Sequence, residues 1–284
     1  MTERPPSRLR RRPPKGASPA WGGPARAERV AFDAGAAAGI ARITLSNPAR
    51  LNALSLAMWR ELRGHFEALQ AQPGSARVVI VAGADGNFAA GGDIEEFSDF
   101  RFDHETLARY HEHEVLPALQ AMLACDLPLV AQIDGACIGG GLEIAACCDI
   151  RIAGASSRFG IPIAKLGFPM APAELEIVAA AFGASVLREL LIEARVLDAQ
   201  AARERGLVTR VVADDQVGIE AQTAAERIAR LSPQALRLNK RALREFATPP
   251  LSGAAQRAPH YDYADSAEHR EGLAAFNDKR APRF

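Results

Sequence analysis

The pattern of apolar and polar positions switches repeatedly between strand-like runs and helical spacing after about residue 28. Short apolar runs rich in β-branched residues predict strands. The predicted strands are RVAFDA (29–34), GIARITLS (39–46), VVIVAG (78–83), LVAQID (129–134) and DIRIAG (149–154). Helical spacing predicts helices over LSLAMWRELRGHFEALQ (54–70) and over about 104–124, the second ending before Leu127-Pro128. This alternation predicts an α/β core.

The two ends of the chain differ from this core. Residues 1–27 are rich in Pro, Arg and Gly and almost lack aliphatic side chains, so we expect a disordered basic arm. After about residue 214 helical patterns dominate, with Ser232 as a predicted N-cap and Pro233 in the first helical position. We therefore expect three parts: the arm, an α/β core over 28–213 and a helical region over 214–284.

Composition limits the classes of function. The chain has 34 Lys and Arg residues and 34 Asp and Glu residues, so its formal net charge is zero. This balance supplies no global field that would attract nucleic acid or an anionic membrane. No run of about 18 apolar residues is present, and the N-terminus lacks the apolar segment of a secretory signal. We expect a cytoplasmic protein that does not cross a membrane and for which nucleic-acid binding is unlikely.

The cysteines predict neither disulfides nor a metal site. The four residues form no Cys-x-x-Cys pair and have no His-rich partner segment. Each lies among apolar neighbours, where a thiol packs as a small hydrophobic group. We therefore expect buried, reduced thiols at Cys125, Cys137, Cys147 and Cys148.

Candidate chemistry lies in two segments that pass from a strand into glycines, VVIVAGADGNFAAGGDI (78–94) and LVAQIDGACIGGGLEIAACCDI (129–150). Glycine lets the backbone approach a ligand closely, and a helix that opens after the second loop presents free N–H groups. Two such amides can hold one developing oxyanion. The dinucleotide and P-loop fingerprints are absent, which argues against a phosphate loop or a Rossmann oxidoreductase. Glycines that serve only tight turns are the alternative.

From roughly residue 28 to 284 the chain resembles the enoyl-CoA hydratase/isomerase, or crotonase, superfamily. The resemblance is carried by NPARLNALS (47–55), NFAAGGDI (87–94), GACIGGGLEIAACCDIRIA (135–153), FGIPIAKLGFP (159–169), DAQAARERGLVTRVV (198–212) and EGLAAFNDKRAPRF (271–284). It implies a crotonase-type spiral of repeated strand-strand-helix units. It also implies a helical C-terminal region that forms a homotrimer or a dimer of trimers.

The resemblance also implies the site. It gives the N–H groups of Gly92 and Gly140 to the thioester oxygen and the proton transfer to Glu143, one helical turn beyond Gly140. The acyl-CoA thioester is then the substrate, and no separate cofactor is implied. The positions that match contacts with the coenzyme A part are Ala90, Asp93, Ile94, Phe276 and Lys279. We also expect Asp93 to cap the short helix that follows it.

Elementary chemistry agrees with these roles. A thioester carbonyl becomes enolate-like when a proton leaves its α carbon or a nucleophile adds at its β carbon, and each preorganised amide donor contributes about 3 kcal/mol. A carboxylate must then move the proton. Glu143 lies on an otherwise apolar helix, where burial is expected to raise a carboxyl pKa toward neutrality. A carboxylate that merely favours the start of a helix is the alternative.

One departure concerns the second catalytic acid. Hydratases of the superfamily carry a second glutamate where this chain has Ile163. Glu112, Glu114 and Glu174 are candidate substitutes, although exposed helix carboxylates are the ordinary case. We expect the neighbouring His111 and His113 to be surface residues. Glu95 is a further departure, because many relatives carry a lysine there, near the phosphates of coenzyme A.

The sequence thus favours an acyl-CoA enzyme that stabilises a thioester enolate, with 2-enoyl-CoA hydration as the nominal reaction. A double-bond isomerase is the first alternative. Decarboxylation, hydrolysis and C–C cleavage of acyl-CoA esters pass through the same enolate or oxyanion and stay open. A non-catalytic protein that binds coenzyme A, or RNA through its basic arm, is the alternative from another class.

Overall fold

The structure is a computed structural model that describes residues 28–34, 39–97, 103–246, 266–268, 271, 274, 275 and 278–283. The expected basic arm (1–27) and Phe276 lie outside the described residues. Within the described part, no helix is long and apolar enough to cross a membrane.

Within the described residues, nine strands form two sheets. They are β1 (Arg29–Asp33), β2 (Ile40–Ser46), β3 (Val78–Gly83), β4 (Leu129–Ile133), β5 (Ala136–Ile138), β6 (Ile150–Gly154), β7 (Arg158–Gly160), β8 (Val196–Asp198) and β9 (Arg210–Val212). The main sheet has the order β1-β2-β3-β4-β6-β9, antiparallel between β1 and β2 and parallel elsewhere. The smaller sheet has the order β5-β7-β8. All five predicted strands are confirmed within one or two residues.

The helices of the described part alternate with these strands. They are α1 (Leu56–Ala71), α2 (His104–Tyr110), α3 (Leu116–Ala124), α4 (Gly140–Ala146), α5 (Pro172–Phe182), α6 (Ala184–Leu191), α7 (Ala199–Glu204), α8 (Val217–Ala229) and α9 (Pro233–Phe246). Ser55 caps α1 by accepting a hydrogen bond from the N–H of Met58. Ser232 accepts one from the N–H of Ala235, which confirms it as the cap of α9.

The two sheets confirm the expected spiral. The chain passes from a strand of the main sheet to an extended segment beside the smaller sheet, and then into a helix, as in β4, β5 and α4. Earlier units contribute single parallel bridges, Leu54 with Gly92 and Ala89 with Cys137. Consecutive units therefore place their second segments side by side, which brings glycine-rich stretches from different parts of the sequence together.

Strand β3 explains why the main sheet is buried on both faces. Val79 and Val81 face the large core, whereas Val78 and Ile80 face a second cluster that includes Val217 of α8. Side chains alternate between the two faces of a strand, and a parallel sheet covered on both sides needs apolar residues at every position. All four of these β3 side chains are fully buried.

The predicted helix over 104–124 is confirmed, and it contains a π-helical turn, His111–Val115, between two α-helical segments. The N–H of Leu116 donates to the carbonyl of His111, an i to i−5 bond in place of the usual i to i−4 bond. Pro117 follows, and proline has no N–H to continue the regular ladder. A π turn of this kind often marks a functional site.

The helical C-terminal region is fixed to the core by ion pairs. Lys240 of α9 is buried, and its Nζ donates to the carbonyl of Leu127 at 2.7 Å and to Asp149 at 2.8 Å. Arg241 and Arg244 both donate to the carboxylate of Asp126. These contacts join α9 to the loop between α3 and β4 and to Asp149, which directly precedes β6.

The cysteines are buried free thiols, as the sequence predicted. Burial raises the pKa of Cys148 to about 12, and it also raises those of Cys137 and Cys147. Thiols with raised pKa values carry little thiolate at neutral pH, so they are inert packing residues.

Candidate functional site

The two glycine-rich loops meet at the start of α4. Leu54 pairs with the first loop, because its N–H donates to the carbonyl of Gly91 and its carbonyl accepts from the N–H of Asp93. A Cβ placed on Gly91 would lie 3.9 Å from the backbone nitrogen of Gly140. The Gly92 and Gly140 amides, which the sequence predicted to act together, therefore lie on adjacent loops.

Glycine is required where the loops touch. Gly139 has φ 50° and ψ −119°, and Gly91 has φ 103°, which are conformations that L-residues with a side chain rarely adopt. Gly141 lies so close to the preceding segment that a Cβ would come within 2.4 Å of the carbonyl oxygen of Ala89. These constraints hold the start of α4 against the first loop.

Both predicted amides are available to a ligand. Gly140 is the first residue of α4, where a helix offers its N–H no acceptor, and the bonds to Leu54 flank Gly92 without using its N–H. Within the part of the chain that the structure describes, neither N–H donates to a protein acceptor. Both residues line a pocket of about 680 Å³, part of which is open to solvent.

Glu143 lies in the same pocket. It belongs to the first turn of α4, three residues beyond Gly140, and is only 6% exposed. Residues three apart share one face of a helix. The structure therefore brings the predicted carboxylate and the predicted amide donors to one cavity.

The walls around these polar groups are mostly apolar. Phe97 and Phe168 pack edge to face with their ring centroids 6.0 Å apart. The other large apolar side chains of the pocket are Trp59, Ile94, Val115, Ile138, Leu166 and Met170. An apolar wall excludes water, and electrostatic interactions in such a site are stronger than in bulk solvent.

Ile163 also lines this pocket. It lies in the 3₁₀ turn Pro162–Leu166 and is half-buried against the core. The position where the superfamily carries its second glutamate thus faces the cavity in this chain, but it presents an aliphatic side chain that cannot exchange a proton.

Comparison with known proteins shows the family to which this chain belongs. Residues 35–284 match the family described as Enoyl-CoA hydratase/isomerase. The chain belongs to this family. It is 34% identical over 245 residues to the 2,3-dehydroadipyl-CoA hydratase of Escherichia coli K12, which covers 85% of this chain and 93% of that protein. It is 32% identical over 246 residues to the mouse mitochondrial methylglutaconyl-CoA hydratase, covering 82% and 75%.

A solved structure supports the same assignment. The chain superposes on an enoyl-CoA hydratase/carnithine racemase from Magnetospirillum magneticum with a TM-score of 0.84 and 41% identity, over 87% of this chain and 92% of that one. The protein is therefore an acyl-CoA enzyme of the hydratase/isomerase family with the crotonase fold.

Two acid-base side chains not predicted as a pair add to this family site. Nδ1 of His111 lies 2.6 Å from Oε1 of Glu174, and both residues line the pocket. The expectation that His111 is a surface residue was wrong: its side chain is 17% exposed, because the π turn places it against α5. Glu174, which was only one of several candidates, is buried.

The remaining candidates lie elsewhere. His113 and Glu112 are exposed, as expected for helix surface residues. Glu114 accepts a hydrogen bond from Nε of Arg60 at 2.8 Å, and this hydrogen bond lowers the pKa of the carboxyl group. Glu114 thus serves an ion pair between α1 and the π turn.

The loop around Gly92 contains two residues that line the pocket and one residue whose side chain supports the loop. Ala90 and Ile94 line the pocket, and Ile94 is 60% exposed at its rim. Asp93 is instead buried, caps the following turn through the N–H of Glu95 and accepts Arg50 at 2.6 Å. Its carboxylate is thus engaged in holding the loop, in agreement with the predicted cap.

Lys279 is absent from the described lining of the pocket, whereas Trp59 is part of it. Lys279 is exposed, with φ 53°, in a turn near the C-terminus, and it is not among the described residues that line the pocket. Trp59 was not singled out from the sequence, because an aromatic residue at helical spacing is ordinary core. Its ring lies beside Gly140, and its buried Nε1 has no acceptor among the described residues.

Within the described ranges, no group of three or more His, Cys, Asp and Glu side chains is arranged so that it could hold a metal ion. The polar groups of the pocket are therefore backbone amides, two carboxylates, an imidazole and the hydroxyl of Tyr110.

Proposed function

We propose that this protein adds water to the double bond of a 2-enoyl-CoA thioester through an enolate intermediate. In this proposal the N–H groups of Gly92 and Gly140 bind the thioester oxygen, and Glu143 delivers the proton to the α carbon. The observation that carries the proposal is the convergence of two amides that donate to no described acceptor and one buried carboxylate in a single apolar pocket.

The energetic argument concerns the charge that appears on the thioester oxygen. Two preorganised donors at about 3 kcal/mol each supply a large share of the stabilisation that an enolate needs. They cost little reorganisation when the charge develops, because backbone hydrogen bonds from Leu54 to Gly91 and from Ile138 to Ala89 hold the loops before substrate binds. Glu143 lies one helical turn from Gly140, so we assign to it the proton transfer at the α carbon beside the thioester carbonyl.

The acyl chain and the coenzyme A part are assigned to opposite sides of these groups. The apolar walls formed by Phe97, Phe168 and Met170 suit an aliphatic acyl chain. We assign the coenzyme A part to the exposed rim near Ala90 and Ile94. The family resemblance adds Lys279 and Phe276 to this assignment. Phe276 lies outside the described residues, so its assignment rests on the family resemblance alone.

We further propose a homotrimer or a dimer of trimers that uses the region 214–284. Large apolar side chains on this region face solvent in the single chain, namely Ile219, Leu231 and Leu243, with Leu243 69% exposed. Exposed apolar side chains grouped on a helical region favour contact with a second protein surface. Sedimentation equilibrium measures the assembly directly, and a monomer at micromolar concentration would contradict it.

The decisive experiment is incubation of the purified protein with a panel of 2-enoyl-, 3-enoyl-, 3-hydroxyacyl- and malonyl-type CoA thioesters, followed by mass spectrometry. Hydration appears as the mass of one added water on a 2-enoyl ester. Isomerisation leaves the mass of a 3-enoyl ester unchanged and alters its chromatographic retention, and decarboxylation removes the mass of carbon dioxide. Turnover of a 3-enoyl or malonyl ester without water addition would refute the proposed reaction.

A further inference from the structure

Hydration involves two proton transfers, and the position of the second family glutamate holds Ile163. One transfer takes a proton from water, and the other delivers a proton to the α carbon. Glu143 can perform one of these transfers at a time. A second acid-base group in the pocket would let the two transfers proceed on different residues, and the inference below rests on the proposed hydration.

The pair formed by His111 and Glu174 is positioned for this task. The 2.6 Å contact between Nδ1 and Oε1 is that of a charge-assisted hydrogen bond. Glu174 lies in the first turn of α5, an end of the helix that favours a negative charge. An ionised Glu174 accepts from Nδ1–H, and this tautomer places the imidazole lone pair on Nε2.

The pair is also close to the groups that hold the enolate. Tyr110 precedes His111 and packs against its ring at 5.1 Å, and its hydroxyl lies 3.5 Å from the position of a Cβ on Gly92. Helix α5, which carries Glu174, packs against α4, which carries Glu143. The imidazole and the Glu143 carboxylate thus belong to different walls of one cavity.

We infer that His111, held by Glu174, is the general base that activates water in this enzyme and replaces the missing glutamate at Ile163. The water oxygen bonds to C3 as one O–H bond breaks and its proton passes to Nε2 of His111. The C2=C3 π pair becomes the C1=C2 bond of the enolate as the C=O π pair moves onto the thioester oxygen, which the Gly92 and Gly140 amides hold.

The second half of the reaction returns the electrons. The enolate re-forms the carbonyl and takes a proton at C2 from the carboxyl group of Glu143. Transfer of the proton from the imidazolium to the Glu143 carboxylate through solvent then resets the site. The net change is the addition of one water molecule. His111 is thus a catalytic residue, and Glu174 is a positioning residue that fixes its tautomer.

The test separates the two proton transfers by measuring two reactions of the same variants. Hydration of crotonyl-CoA requires both groups. Exchange of the α protons of butyryl-CoA with D₂O, read by mass spectrometry, requires only the amides and Glu143. The variants are His111→Gln and Glu174→Gln. Their matched controls are His113→Gln and Glu176→Gln, exposed residues on the same two elements.

We expect His111→Gln to lower kcat for hydration by about 10² to 10³, with KM and α-proton exchange within about threefold of wild type. Glu174→Gln should lower kcat for hydration by about 10 to 10², again without loss of α-proton exchange. Retained exchange shows that each variant is folded and holds its substrate. Neither control variant should change either reaction.

A rescue experiment excludes a merely structural role. Ile163→Glu in the His111→Gln background restores a carboxylate where the family has one, and should recover hydration at least about tenfold. The same substitution in wild type should give a clearly smaller relative gain in hydration, because a base is already present. An imidazole that only packs would give no such difference between the two backgrounds.

The outcomes distinguish this inference from the proposed function. If His111→Gln and Glu174→Gln hydrate crotonyl-CoA at the wild-type rate while Glu143→Gln does not, hydration stands and the His111–Glu174 base is refuted. If wild type itself adds no water to any 2-enoyl-CoA, the proposed function fails before any variant is compared, and the inference falls with it.

Discussion

Nδ1 of His111 lies 2.6 Å from Oε1 of Glu174, although 63 residues separate the two in the sequence. One residue begins a π turn and the other lies in the first turn of α5. The contact places an imidazole in a pocket whose family position for a second acid is aliphatic. In the mechanism proposed above, the site uses the same amides and Glu143 as the family resemblance implies, and His111 takes the second proton.

Glu143→Gln keeps the shape of the side chain and removes its ability to exchange a proton. We expect kcat on the preferred acyl-CoA ester to fall by about 10² to 10⁴, the usual contribution of a positioned acid-base group. The dissociation constant for coenzyme A, measured by calorimetry, should not change, because this residue lies at the reacting carbon. A kcat within about threefold of wild type would remove Glu143 from the mechanism.

Gly140→Pro tests the oxyanion amide, with Gly140→Ala as its control. Both add a Cβ, which would meet side-chain atoms of Leu54 and Trp59 at 3.0 Å, but only proline deletes the N–H. Gly140 is the first residue of α4, a position that accepts proline. We expect the proline variant to be slower than the alanine variant by about 10² to 10³.

Circular dichroism and thermal melting of both Gly140 variants supply the check on folding. Equal rates in two folded variants would show that the N–H of Gly140 does not hold the developing charge, because the two differ in that group alone among the polar groups of the site.

Glu95→Lys changes the charge at the rim of the pocket. Glu95 pairs with Arg50, which also binds Asp93, so two carboxylates face one guanidinium. Lysine there would release Arg50 from one acid and add a cation toward the phosphates of coenzyme A. We expect coenzyme A to bind about two- to fivefold more tightly, corresponding to about 0.4–1 kcal/mol, which lies within the range for an exposed ion pair.

The gain from Glu95→Lys should shrink as salt is raised, because exposed charges are screened. Glu204→Lys, an equal change of charge on α7 outside the pocket, is the control. Similar gains from both substitutions would mean that net charge, rather than the position of residue 95, determines the affinity.

Asp126→Asn tests the attachment of α9. Burial raises the pKa of Asp126, but hydrogen bonds from Arg241, Arg244 and Gln70 outweigh it and hold the pKa well below its usual value. A lowered pKa in the folded state contributes stability above the unfolded-state pKa of about 3.9, and this contribution is lost as pH falls through the folded-state pKa. The stabilisation is therefore present at neutral pH.

We expect Asp126→Asn to lower the free energy of unfolding by about 1–2 kcal/mol at pH 7. This value is at the low end for hydrogen bonds to charged groups, because Arg241 is half-exposed and solvent screens its charge. Urea titrations at pH 7 and at pH 3.5 measure the difference between variant and wild type. The difference in the free energy of unfolding between wild type and variant should be smaller at pH 3.5 than at pH 7. A constant difference across this range would show that the charge of Asp126 does not stabilise α9.

Much of the fold follows from the local pattern of residues. The continuous apolar run of β3 predicts a strand buried on both faces, and Ser55 and Ser232 mark helix starts through bonds made within three residues. The glycines of the two loops and the spacing from Gly140 to Glu143 are likewise local, because they depend on backbone geometry and helical periodicity. The family resemblance named Gly92, Gly140 and Glu143, and these local features are consistent with their meeting in one pocket.

Only the tertiary structure decided which distant side chains meet. His111 reads as a surface histidine on a helix, and its turn toward the pocket depends on a π bulge that helical periodicity does not encode. Its contact with Glu174 depends on the packing of α5 beside α4, and no spacing along the chain carries that information. Local sequence determines which backbone conformations are stable, whereas pairs between distant side chains follow from the packing of whole elements.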